Sequence, residues 1–543
     1  MNNSRMNTKK IKEPKLGAVY TPIEVATAVC DLVKVKLKIA AKSPIHILEP
    51  SVGDGLFIKA LSCLDVDFLL TAVDINKDVI DELRDFYADN SCLRFINSNY
   101  IEYSNKSKSE KFDLIIGNPP FIKKHDYTDD FKDSLDKLSL ALDYDRKDLK
   151  NAWSAFVVAA ESSLTKNGIL SFIVPYEIMN VAYGQKLQRT IFSKFKRVDI
   201  YIPDEKAFKN IDQDAVLFIA QKETSEDFGV FAHRVSSLSE LGSLSFGRIE
   251  VTKPDSLSID LKSFLLDKRT IKLLHKIKGK CKTVDDTCSS SPGIVTGAND
   301  FFIQKKEDVD KYGLCSFSKK ILKKGSYLPL SPIFREQDFK LLELKEPCYL
   351  ISFKDNDSES FTNEVKDFLK VGEDLGLPKR YKCRHRKVWY EVPLTQSTEG
   401  FFFKRSHSFP RLCINEANIL VTDTAYRISM KDGYTINGLC FSFYNSLTLL
   451  FAEIYGRFYG GGVLELTPSE FRKLPIVYKE PSDEEMSSFE MAHIAEKSSA
   501  GRLTEFGDEW LMEILDLTKE EMTVLQRSLK VLKNHRLRHG KTS

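Results

Sequence analysis

Between Ile45 and Val174 short apolar runs alternate with amphipathic stretches, and no other property of the chain constrains its fold as tightly. Ile45-His46-Ile47-Leu48, Phe68 to Val73, Phe112 to Ile116 and Ile169 to Val174 read as strands, with helices expected at Leu56 to Leu61, Asp78 to Tyr87 and about Asn151 to Leu164. Continuous apolar runs suit strands buried on both faces, and parallel neighbours need a crossover between them. The expected fold class is therefore α/β, a doubly wound, Rossmann-like sheet. Ahead of it, Val25, Val29, Leu32 and Val33 mark an amphipathic helix with Thr21 as cap and Pro22 in its first turn.

The chain has 543 residues, enough for two or three domains. Residues 1 to 16 read as a basic, mobile arm and 17 to 240 as the α/β domain. A linker rich in Ser, Gly and isolated charges is expected at 241 to 264. Residues 265 to 478 lack the alternation and are rich in aromatic and basic residues, as expected of a mixed α+β domain; 479 to 543 read as a helical extension ending in Arg527, Lys530, Lys533, Arg536 and Arg538. That last run could track phosphates or be a soluble tail, and the tail is the favoured reading. No run approaches the roughly 20 apolar residues of a membrane span, and the N-terminus has no signal-peptide core, so a cytoplasmic protein is expected. Ten cysteines are scattered without metal-ligand spacing, which points to buried thiols and to no metal site. A net charge of +3 decides nothing about nucleic acid, because phosphate contacts come from local basic faces.

Two segments in the first domain carry chemistry. Asn118-Pro119-Pro120-Phe121 follows the strand Phe112 to Ile116, at the sheet edge where open α/β folds bind ligands. The prolines restrict the backbone, so the Asn118 side-chain carbonyl and a main-chain carbonyl can grip one amino group while Phe121 offers a flat face. Taken alone, the tetrapeptide is equally compatible with a Pro-rich turn and a packed Phe. Leu48-Glu49-Pro50-Ser51-Val52-Gly53-Asp54-Gly55-Leu56-Phe57 is a glycine turn that opens a helix, but it carries acids where a phosphate cradle would not. Glu49 and Asp54 suit a cationic or amino-bearing ligand, and Asp74, at the end of the second strand, can accept both hydroxyls of a ribose. The order of these features points to an adenosine-containing, partly cationic ligand, and S-adenosylmethionine fits.

With these motifs in order the chain resembles the gamma-class adenine-N6 DNA methyltransferases of bacterial type II restriction-modification systems, with a TaqI-like C-terminal specificity domain. The resemblance runs from about 17 to 477. It takes in Gly17-Ala18-Val19-Tyr20-Thr21-Pro22, Glu49 to Phe57, Asp74, the NPPF loop, Trp153-Ser154-Ala155-Phe156 and Gly168 to Pro175. In the second region Gly293-Ile294-Val295-Thr296-Gly297-Ala298-Asn299-Asp300-Phe301-Phe302 and Gly460-Gly461-Gly462-Val463-Leu464-Glu465-Leu466-Thr467-Pro468 resemble the opening and closing motifs of the specificity domain. Lys473-Leu474-Pro475-Ile476 follows, as that pattern requires. The chain departs from the family at Asn99-Tyr100, where an Asp usually precedes the aromatic; an Asn carbonyl still accepts from an exocyclic amine.

The resemblance implies that S-adenosylmethionine is held by Tyr20, Thr21, Glu49, Pro50, Gly53, Asp54, Gly55, Asp74, Ile75, Asn99, Tyr100, Asn118 and Pro120. It also implies that the target adenine rotates out of the duplex. Asn118 and the Pro119 carbonyl then accept its amino hydrogens, with Phe121 and Phe208 stacking on the base and Phe156 lining its edge. Double-stranded DNA is the implied partner, read by a monomer whose cognate restriction endonuclease is a separate protein. Arg380, Lys382, Arg384, Arg386, Lys387, Lys404 and Arg405 are the candidate DNA contacts, each also readable as solvated charge. NPPF-type loops also serve RNA adenine and protein glutamine methyltransferases, and the second domain favours DNA over these. A non-catalytic DNA-binding module is disfavoured because Glu49, Gly53, Gly55, Asp74 and Asn118 are all present. Asp260-Leu261-Lys262 is too short a fragment to argue for a fused nuclease.

Overall fold

β1 (Ile45–Glu49), β2 (Phe68–Asp74), β3 (Leu93–Asn97), β4 (Phe112–Gly117) and β5 (Leu164–Pro175) pair in parallel in the order β3-β2-β1-β4-β5. The sheet continues through β7 (Ala215–Gln221), β6 (Arg197–Pro203), β8 (Gly229–Ser237) and β9 (Glu240–Ile249), of which β7 and β9 run against the rest. The helices are α1 (Ile23–Leu37), α2 (Leu56–Ser62), α3 (Lys77–Phe86), α4 (Tyr100–Lys106), α5 (Asp129–Leu142) and α6 (Ala152–Ser163). α1 packs on α2, and α4 packs on α5 and α6. Right-handed crossovers on either side of β1/β4 place these two groups on opposite faces, as in a doubly wound sheet.

This computed structural model divides the chain into two compact units, one within Met1–Phe264 and one at Leu265–Leu537. It describes residues 21–37, 44–122, 124–142, 144–146, 149, 151–179, 194–205, 214–224, 226–249, 262, 265–353, 358–459, 462–495 and 501–537. The basic arm, Tyr20 and Phe208 lie outside the described residues. No helix among the described residues is long and apolar enough to cross a membrane.

Two sequence expectations about boundaries need correction. Residues 241–249, expected to begin a linker, belong to β9, paired with β8 from Val230↔Ile249 to Ser237↔Glu240 across a tight turn at Leu238 and Ser239. The strand is rich in Ser and Gly and its register shifts twice, which hides the apolar alternation that would mark it. The helices Asp483–Ala495, Gly501–Leu515 and Lys519–Leu537 are not a tail, because Phe489, Leu503, Leu511, Leu515, Leu525 and Leu532 belong to the second unit's core. That unit also holds a five-stranded mixed sheet with Gly400–Phe403 at its centre. Among the cysteines, Cys63, Cys92 and Cys315 are exposed rather than buried.

At the amino end of β6, away from the strand ends described below, Asp199 is buried in an ionic cluster. Arg197 donates Nε and Nη2 to it at 2.7 and 2.8 Å, His233 Nε2 lies 2.8 Å away, and Lys36 Nζ of α1 lies at 3.4 Å. The cluster ties α1 to β6 and β8.

Candidate active site

The strand order reverses between β1 and β4, and such a point opens a crevice outside the strands' carboxyl ends. Glu49 ends β1 and Asn118 follows β4. A Cβ on Gly117 would stand 3.8 Å from Glu49 Cγ and 3.5 Å from Pro50 Cδ, so the two strand ends lie side by side. Ser51 Oγ joins them by donating to the Asn118 main-chain carbonyl at 3.0 Å. Asn118 Nδ2 donates to Thr21 Oγ1 at 3.2 Å, which turns the amide oxygen away from α1. Thr21, expected as a helix cap and as a cofactor-pocket residue, thus also supports the NPPF loop.

Glycine is required twice in the turn after β1, since Gly53 and Gly55 have φ of 51° and 75°. A side chain at Gly55 would also come within 2.8 Å of Leu83 Cδ2. Gly53 N–H donates to Asp74 Oδ2 at 3.0 Å and Asn76 N–H to Asp74 Oδ1 at 2.9 Å. Each Asp74 oxygen thus already accepts one main-chain hydrogen bond and keeps one lone-pair site for a ligand hydroxyl. Asn97, which sequence reading missed, donates Nδ2 to the carbonyls of Asp74 and Ile75 at 3.1 and 3.0 Å and so fixes the end of β2. Ile75 is 75% exposed and presents an apolar face there.

Glu49 is only 1% exposed, and its Oε2 has no hydrogen-bond partner among the described residues. Burial first, then the charges of Asp54 and Asp74, hold its carboxyl well above the ordinary range. A buried acceptor without a donor is costly, and a buried unpaired carboxylate more so. A ligand bringing a cationic amine supplies both the donor and the charge. The three acids fit such a ligand and do not fit a phosphate.

Several expected site residues also serve the fold. Asn99 caps α4, its Oδ1 accepting from Ile101 N–H at 3.0 Å. Tyr100 and Phe156 are core residues, their rings tilted together at 4.9 Å between centroids. Phe121 is 8% exposed, so stacking on a base requires it to be uncovered. Pro119 is buried and Pro120 partly exposed.

In the second unit, Arg380, Lys382, Arg384, Lys387 and Arg405 are exposed and Lys404 is half-buried. Arg405 lies against Glu465 at 3.3 Å. Arg386 is a brace rather than a solvent-facing cation: its Nη2 donates to the Val295 and Thr296 carbonyls at 3.2 and 2.6 Å, and its Nη1 to Trp389 at 3.2 Å. Arg536, expected on a basic tail, is fully buried. Its guanidinium pairs with Glu453 at 2.8 Å and donates to the carbonyls of His407 and Gly462, tying the last helix to the glycine loop.

The profile of the Eco57I restriction-modification methylases matches residues 58–208, and that of the C-terminal domain of type II methyltransferase M.Eco57I matches residues 259–512. The chain belongs to the Eco57I family of type II restriction-modification methyltransferases. Type II methyltransferase M.AccI of Acinetobacter calcoaceticus is 24% identical to this Eco57I-type chain over 87% of it and 88% of the relative. M.XamI of Xanthomonas campestris pv. amaranthicola is 21% identical over 86% of each. A tRNA1(Val) (adenine(37)-N6)-methyltransferase of Flavobacterium psychrophilum is 26% identical over 25% of this chain and 55% of its own length. Among solved structures, the type IIG restriction endonuclease BpuSI aligns with 96% of this chain and 66% of its own, at 14% identity and a TM-score of 0.43.

Proposed function

We propose that this Eco57I-type methyltransferase is a gamma-class, site-specific DNA adenine-N6 methyltransferase. It acts in the cytoplasm and protects its site from a separate cognate endonuclease. One observation carries the reading: at the β1/β4 switch point an acidic glycine turn with an orphaned buried Glu49 oxygen stands beside an Asn118 held from both sides by Ser51 and Thr21.

S-adenosylmethionine, when bound, supplies a methyl group on an electrophilic sulfonium. Glu49 takes its ammonium, Asp74 its ribose hydroxyls and Ile75 one face of its adenine. The turn Pro50 to Gly55, Thr21, Pro120 and the segment at Asn99 line the rest of that pocket, and Tyr20 belongs to the same motif as Thr21.

The target adenine leaves the stack, since its amine is not reachable inside a duplex. Asn118 Oδ1 and the Pro119 carbonyl accept its two amino hydrogens. These bonds draw the nitrogen out of conjugation with the ring and aim its lone pair into the crevice. Positioning of this kind can supply several kcal/mol of barrier reduction, so no general base is required before attack. Phe121 stacks on the flipped base once uncovered, and Phe208 is its proposed partner on the other face.

The second unit carries the choice of DNA over RNA or protein, through its match to the M.Eco57I C-terminal domain and its exposed Arg and Lys, and we read it as a target-recognition domain of the TaqI-like kind. An RNA substrate is the second reading, favoured by the match to the tRNA adenine-N6 enzyme. The test is transfer of a radiolabelled methyl group from S-adenosylmethionine to unmodified genomic DNA, total RNA or total protein. Label in DNA adenine is expected; label in RNA or protein alone would overturn the reading.

A further inference from the structure

Tyr381 is a large aromatic side chain left 65% exposed in the second unit. It opens the short helix Tyr381–Arg384, and basic side chains surround its ring. Lys382 Nζ lies 5.8 Å and Arg384 Cζ 5.5 Å from the ring centroid, and the His385 imidazole lies at 4.5 Å. His385 Nδ1–H also donates to the Tyr381 carbonyl at 2.6 Å, so the imidazole is locked to the same turn.

The neighbouring loop extends this surface. Gly297 has φ 75°, and a Cβ there would come within 2.8 Å of Lys382 Cβ, so the Gly293–Asn299 loop lies against the helix and brings half-exposed Val295 alongside. Asp300 pairs with Lys323 at 2.7 Å and also feels the charges of Lys324 and Arg380. Among the residues named here the cations outnumber the acid Asp300, and the Tyr381 ring stands among them largely open to solvent. Solvent-exposed tyrosine ringed by Lys and Arg is the arrangement that binds nucleic acid by combining phosphate neutralisation with contact to a base or sugar face.

We propose that Tyr381 is a DNA-contacting residue of the second unit, its ring packing on a deoxyribose of the duplex backbone while Lys382, Arg384 and Arg380 neutralise flanking phosphates. The inference rests on the DNA reading above and names a residue and a contact that reading does not contain.

Salt dependence separates the two kinds of contact. Each cation that neutralises a phosphate releases about one counterion, whereas an aromatic ring releases none. Binding of the full chain to a duplex carrying its mapped site should be measured over a range of salt for wild type, Tyr381→Ala, Tyr381→Phe and Lys382→Ala. Tyr381→Ala is expected to bind roughly five- to tenfold more weakly with an unchanged salt slope, and Tyr381→Phe to retain most of the affinity. Lys382→Ala is expected to lose about 0.9 from the slope. Thermal midpoints should be the same for all four, since both side chains are exposed. Wild-type binding to DNA with no loss in Tyr381→Ala would overturn this inference alone. Failure of the wild-type chain to bind any duplex, or tighter binding to RNA, would overturn the DNA reading and this inference with it.

Discussion

Thr21 and Asn118, 97 residues apart in the chain, are joined by a hydrogen bond of 3.2 Å from the Asn118 amide nitrogen to the Thr21 hydroxyl. This bond fixes the amide nitrogen on Thr21 and so orients the Asn118 side chain. Asn118→Ala should lower methyl transfer by more than about a hundredfold while leaving DNA affinity near wild type. Thr21→Val removes one neutral hydrogen bond worth about 1 kcal/mol, so turnover should fall roughly fivefold with KM for DNA unchanged. Steady-state kinetics with a labelled methyl donor checks both; unchanged turnover in Thr21→Val would remove Thr21 from the site.

Glu49 makes cofactor binding depend on pH in a definite direction. Its carboxyl stands above the ordinary range in the unliganded protein because of burial and then Asp54 and Asp74. A cation beside it lowers that value, so a proton leaves on binding and affinity rises with pH until the unliganded carboxyl has ionised. Calorimetry of S-adenosylmethionine binding in buffers of different ionisation enthalpy should show proton release. Glu49→Gln should bind more weakly and release none; proton uptake by wild type would contradict the assignment.

The same linkage acts with opposite sign at Asp199. Burial pushes its carboxyl up, but hydrogen bonds from His233 and Arg197 and the charge of Lys36 outweigh it and hold the group below its usual range. Its contribution to stability is therefore present above about pH 4 and lost as pH falls further. Asp199→Asn removes the buried carboxylate of the cluster and leaves Arg197 and Lys36 only the partly exposed Glu226, at 3.0 and 3.3 Å, so it should cost about 3 kcal/mol in denaturant unfolding. Because Asp199 lies near the amino end of β6, turnover of the folded variant should match wild type.

Arg386 should behave as a brace. Arg386→Ala leaves the carbonyls of Val295, Thr296 and Trp389 without this donor and should destabilise the protein by about 1 to 3 kcal/mol. The slope of DNA affinity against salt should not change, which distinguishes it from Lys382.

The sheet was legible in the sequence at buried apolar runs such as Phe112–Gly117, where alternation with helical stretches supports the reading, but not at Arg197–Pro203 and Ala215–Gln221, which are as fully buried yet lie beyond that alternation. It was not legible at Leu93–Asn97, an edge strand that is half-exposed and interrupted by Arg94, nor at Glu240–Ile249 with its glycines and serines. The site was legible as motifs but not as contacts. Sequence places Asn118, Glu49 and Asp74 at strand ends, yet cannot show that Ser51 and Asn97 tie those ends together, since the partners lie 67 and more than 20 residues away. Charge in the sequence misled for the same reason: Arg386 and Arg536 look like free cations until the carbonyls and Glu453 around them are seen.

The most direct test is to map N6-methyladenine in DNA from cells expressing the wild-type chain and, separately, Asn118→Ala. The account predicts near-complete methylation of one adenine within a single recognition sequence for wild type, and none for the variant. Absence of any methylated adenine motif in wild-type DNA, or its persistence in Asn118→Ala, would contradict it.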